Sequence, residues 1–126
     1  MVQAAVDIHE RAQLETPEAT VLDRDHLARM TFGDRSLERE VLQLFNRQSE
    51  LLLDRMRASE PAAIATLAHT LKGSAVGIGA ARVARAAAEA ELVAQAKPAE
   101  SSRAIAELAQ AVEEARAEIS TLIRAH

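Results

Sequence analysis

The sequence predicts an all-α protein: an antiparallel four-helix bundle with a short leading helix and a loosely ordered N-terminal arm. Three observations carry this. Alanine, the strongest helix former, occurs 28 times in 126 residues. Strand-favouring aromatics are nearly absent, with two Phe and no Trp or Tyr. Apolar residues recur at three- and four-residue spacing through four long stretches, punctuated by Gly and Pro.

Residues 1–21 show no sustained apolar periodicity and contain Pro17, so they are set apart as the arm, leaving 22–126 as the bundle domain. Asp23 is placed to cap a short helix reaching about Phe32, with Leu27 and Met30 on one face. Gly33 and Asp34 interrupt it. A long helix over about 36–58 spaces Leu37, Val41, Leu44, Phe45, Leu52 and Met56 as an apolar face. Ser59-Glu60-Pro61 stops it and starts the next, because proline is accommodated in a first helical turn. The third helix, about 61–77, carries Ile64, Leu67, Ala68, Leu71 and Ala75 as its stripe. Gly77-Ile78-Gly79 reads as a tight turn. The fourth helix, about 80–96, turns Val83, Ala84, Ala87, Ala90 and Ala94 inward, and Lys97-Pro98 ends it. The last, about 100–123, aligns Ile105, Leu108, Val112, Ala115, Ile119 and Leu122. Short connections make neighbouring helices antiparallel. Alanine-rich faces let the third and fourth axes approach closely.

Composition also excludes chemistries. The absence of cysteine removes disulfides, thiolate zinc sites, iron–sulfur clusters and cysteine nucleophiles. No apolar run approaches the roughly 18 residues of a membrane span. The opening MVQAAVDIHERAQLE is acidic early and lacks the apolar core of a secretory signal, so a cytoplasmic location without a membrane partner is expected. A net charge of −4 lacks the basic excess of a nucleic-acid binder. Charge is nonetheless uneven: across 61–88 the only charged residues are Lys72, Arg82 and Arg85, all positive.

Of four histidines, His9 lies in the arm, His126 is the last residue and His26 sits in the charged leading helix. They share no metal-ligand spacing. His69 differs by where it points. It lies about 200° around the third helix from both Leu67 and Leu71, opposite the apolar stripe. Its neighbours on that face are Ala62, Ala65, Thr66, Lys72, Gly73 and Val76, where a generic exposed face would carry Glu, Lys or Gln. Gly73 costs about 1 kcal/mol of helix propensity relative to alanine. Geometry alone leaves two readings open: a surface histidine on an alanine-rich helix, or an imidazole kept clear for another molecule.

The string His69-Thr70-Leu71-Lys72-Gly73-Ser74-Ala75, followed by Gly77-Ile78-Gly79-Ala80, resembles the signature of histidine phosphotransfer (HPt) domains. These are the helical carriers of multistep two-component phosphorelays. Phe32-Gly33-Asp34 with Leu37, Val41, Leu42 and Phe45 is similar to that family's second-helix pattern, and a small-residue helix bearing Glu91 also fits. The resemblance covers about 22–123 and leaves out the arm.

It implies that His69 takes a phosphoryl group on Nε2 from a receiver domain's phospho-aspartate and passes it to another receiver. Histidine suits this, since an unperturbed imidazole titrates at about pH 6.5 and offers a free lone pair at neutrality. Lys72, a helix neighbour, would meet phosphate oxygens, or is an ordinary solvated lysine. Gly73 would keep the surface flat for a receiver's pocket, or is merely tolerated. Ser74 can bond back to the Thr70 carbonyl and is assigned no catalytic role. Glu91 matches a position where the family places Gln or Glu near the histidine. It would accept from Nδ1–H and leave Nε2 nucleophilic, or pair in solvent with an arginine. Ala65, Val76, Arg82 and Arg85 are expected on the partner-contact surface, the arginines alternatively being a solvated face. No cofactor is expected in the chain itself, magnesium coming with the receiver. No nucleotide-binding motif is present and no room remains for a kinase domain, so autonomous ATP-dependent kinase activity is not expected.

Two other readings stay open. One is a non-catalytic helical adaptor or receiver-binding module using the same face. The other is a dimer through the final helix, whose seam is shorter than the three to four heptads that argue for a coiled coil. A monomer is expected.

Overall fold

The computed structural model describes residues 20–125. Nearly all of the arm lies outside the described residues, as do His9 and His126. The elements are α1 (Arg24–Met30), α2 (Arg35–Arg57), α3 (Pro61–Ile78), α4 (Ala81–Ala96) and α5 (Ser101–Ala125), with a 3-10 turn at Pro98–Glu100 before α5. No strand occurs among the described residues. Each long helix packs on the next, α5 closes back on α2, and α1 rests on α3. None of the described helices is long and apolar enough to cross a membrane.

Capping chemistry sets most boundaries. Asp23 accepts from the His26 backbone N–H at 3.0 Å and opens α1. Asp34 does the same for α2 through Leu37, also at 3.0 Å. Pro61 occupies the first turn of α3, where its missing N–H costs nothing. At the start of α5, hydrogen bonds from Arg103 to Glu100 and then to Glu107 hold its guanidinium pKa above the ordinary arginine value.

The α3–α4 connection departs from expectation. Helix α3 continues through Gly77 to Ile78, and only Gly79 turns left-handed, at φ +79°. Ala80 N–H donates to Ala75 O at 2.8 Å and Gly79 N–H to Val76 O at 3.2 Å, so the last carbonyls are satisfied by a Schellman-type cap. A Cβ at Gly79 would lie 2.9 Å from the Asp23 Cβ. Both the backbone angle and the space therefore require glycine there.

The core holds the expected stripes of α3, α4 and α5, with Leu71, Leu108 and Ile119 fully buried. Each such side chain contributes about 1.5–3 kcal/mol through burial. Three expectations fail at the edges. In α2 the inward residues are Leu42, Phe45, Ser49, Leu53 and Met56, while Leu44 is exposed. Leu44 lies about 100° from Phe45, beyond the rim of the buried arc. Met30 is also exposed, because α1 ends at that residue and only Leu27 reaches the core. Leu67 is only partly buried against it.

Candidate functional site

Helices α3 and α4 form a hairpin in which positions 69 and 91 are equidistant from Ala80. That register sets His69 opposite Glu91, about one turn further along α4 than a turn at 77–79 predicts. His69 Nδ1 and Glu91 Oε1 are 3.2 Å apart. An ionised carboxylate only accepts, so Nδ1–H is the donor, and in the neutral ring Nε2 keeps the lone pair. The imidazole is 68% exposed while the Glu91 side chain is 23% exposed. The carboxylate is thus held at the edge of the hairpin and the ring stands out from it, with no partner to Nε2 among the described residues.

Small residues surround the pair. Ala62, Thr66, Thr70 and Gln95 line the hollow around His69 and Glu91. Ala65 belongs to its floor and is nearly buried, since α4 packs against that flank of α3. It is therefore not the exposed contact residue expected from the sequence. Gly73 is exposed, and a Cβ built there meets nothing within 4 Å. The fold does not require glycine at this position.

A second hollow begins one turn beyond His69. It is lined by Lys72, Val76, Ala84, Arg85 and Ala88, and ends against Asp23 and His26 of α1. Val76 is 56% exposed. Lys72 and Arg85 form no ion pair among the described residues, leaving two uncompensated cations on this face. Arg82 is elsewhere. Nine residues before Glu91, it lies about 180° around α4, and its guanidinium donates to Glu114 of α5 at 3.2 Å. The geometry brings His69, Glu91, Lys72, Gly73 and Val76 onto one side, while Arg85 stands at its border, lining both the Lys72 hollow and the one it shares with Arg82, Glu89, Glu107 and Glu114.

Sequence reasoning missed two contributors. Gln95, one helical turn from Glu91, shares the His69 hollow; the i, i+4 spacing was the available signal. His26 is half-buried, and its Nε2–H donates to the Gly77 carbonyl at 3.0 Å, pinning α1 to α3. No feature of the charged leading helix announced that tertiary bond.

The described bundle thus presents an exposed imidazole, paired through Nδ1 with a carboxylate, beside Lys72 and Gly73. In the family comparison, the model of the Hpt domain matches residues 40–118, well over half of the chain. The chain belongs to the Hpt domain family, and its general role is histidine phosphotransfer in two-component phosphorelays. No curated protein and no solved structure matches it.

Proposed function

We propose that this protein is a phosphorelay intermediate whose carrier is His69 Nε2. The Nε2 lone pair attacks the phosphorus of a receiver's phospho-aspartate. The P–O bond to the aspartate breaks, its carboxylate leaves, and a P–N bond forms. Transfer to a second receiver reverses these steps with a new carboxylate as acceptor. The observation that carries this reading is the His69 Nδ1 to Glu91 contact at 3.2 Å with the ring otherwise exposed. It fixes the reactive tautomer without covering the reactive nitrogen.

The surrounding residues take roles consistent with that step. Glu91 is a positioning residue acting through the ring. Lys72, a mobile ammonium three residues on, offsets charge on the phosphoryl oxygens. Gly73 leaves room for the receiver's active-site rim, and Val76 and Arg85 meet the partner. Magnesium comes with the receiver, whose carboxylates hold it.

The test is phosphoryl transfer from a panel of magnesium-loaded, phosphorylated receiver domains to the wild type and to His69→Gln. Acid-labile, alkali-stable label should appear on the wild type alone, with far-UV circular dichroism identical in both. Equal labelling of the variant would defeat the assignment. Binding to receivers without label on either protein would make the chain an adaptor.

A further inference from the structure

The hollow around His69 contains one polar group that phosphoryl transfer has so far left without a role. Gln95 lines it together with Ala62, Ala65, Thr66, Thr70 and Glu91. Its side-chain amide forms no hydrogen bond among the described residues. The other polar side chains there are committed or of the wrong sense. Thr66 Oγ1 donates to Ala62 O at 3.3 Å, and Thr70 Oγ1 donates to Thr66 O at 3.1 Å. Glu91 only accepts, and it already takes the His69 Nδ1–H. The Gln95 amide is therefore the uncommitted donor beside the ring.

Helix geometry aims that donor at His69. In the antiparallel hairpin, Gln95 and Ala65 are equidistant from Ala80, so Gln95 stands one turn further from Gly79 than His69 does. Helical side chains lean toward the N-terminus of their own helix. His69 therefore leans away from Gly79, Gln95 leans back toward it, and the two converge over the hollow that both line. Lys72, three residues after His69, leans toward the ring from the other end.

We propose that Gln95 is a phosphoryl-binding residue, its amide N–H donating to an oxygen of the phosphoryl group on His69 Nε2, opposite Lys72. This rests on the carrier reading above. Phosphorylation brings ionised oxygens close to the Glu91 carboxylate, and the two repel. Donation from Gln95 on one side and Lys72 on the other offsets that repulsion.

The experiment uses the full chain and the receiver from the panel that transfers fastest, and measures how the phosphoryl group divides between the two proteins at equilibrium. Gln95→Leu, which removes the donor from an exposed position of α4, should shift the ratio roughly three- to tenfold toward the receiver. Gln95→Glu should shift it further, and Gln95→Lys should bring it back to within about twofold of the wild type. In wild-type protein labelled from phosphoramidate, the Gln95 side-chain amide protons should move downfield in NMR spectra. An unchanged final ratio in Gln95→Leu, even if reached more slowly, would overturn the contact and leave the carrier standing, because a lost receiver contact alters rates and not end states. Displaced His69 ring resonances in unmodified Gln95→Leu, matching those of Glu91→Ala, would show that Gln95 acts only by holding Glu91, and would overturn it too. No label on His69 from phosphoramidate or from any receiver would instead remove the carrier reading itself.

Discussion

In the proposed carrier, the chemistry at His69 turns on which ring nitrogen holds the proton. Glu91 decides it, because a carboxylate 3.2 Å from Nδ1 accepts a hydrogen bond and disfavours the tautomer with a lone pair there. Glu91→Ala should therefore slow single-turnover phosphoryl acceptance by roughly three- to tenfold, through a mixed tautomer population and a freely rotating ring. Glu91→Gln retains an accepting oxygen and should recover most of the rate. Equal rates in all three proteins, measured by rapid quench, would show that the contact does not govern reactivity. Lys72 and Arg85 act differently, as charges without partners in the described chain. Lys72 is half-buried and Arg85 exposed, and in the proposed carrier they would meet an incoming phosphoryl oxygen or an acidic rim.

At the scale of elements, the hairpin of α3 and α4 is what holds the pair in register, and Gly79 is its pivot. Gly79→Ala forces a Cβ into Asp23 and a side chain onto φ +79°. It should destabilise the protein by about 1–3 kcal/mol in urea denaturation, and weaken the His69–Glu91 register with it. The sequence made this hairpin readable through Pro61, the apolar stripes and the pair of glycines. It did not reveal which glycine turns, because Gly77 and Gly79 differ only in what lies beside them. That neighbour is α1, and α1 is seated by the His26 to Gly77 bond between residues 51 positions apart. The same limit explains Leu44 and Arg82. Their places at the rim of an arc depend on which neighbour each helix selects, and periodicity within one helix does not carry that information. The His69–Glu91 contact was legible because one tight turn joins the two helices and fixes their register to within a turn.

Across the whole molecule, the cations differ in whether they are paired. Arg82 is bonded to Glu114 of α5, and Arg103 and Arg116 also form ion pairs. Lys72 and Arg85 form none among the described residues, and both border the hollow one turn beyond His69. In the proposed carrier, a partner with a carboxylate-rich active site would be attracted to that hollow. Raising salt from about 0.05 to 0.5 M should lower the association rate with receivers several-fold, with little effect on transfer inside the complex. Stopped-flow mixing separates the two. A salt-independent association rate would remove these cations from steering.

The exposure of His69 bears on energy storage. Its ring stands outside the packed interior, so in the proposed carrier a phosphoryl group would press on no core residue and break no helix bond. A modification that favours neither the folded nor the unfolded chain leaves the folding equilibrium where it was. Thermal midpoints of the phosphorylated and unmodified protein should then agree to within about 1 °C, and a larger gap would show coupling to the core. With no strain stored in the bundle, the P–N bond keeps its own transfer potential. In the proposed carrier the direction of flow would then be set by the relative phosphorylation of the receivers on either side, with the protein a passive conduit between them.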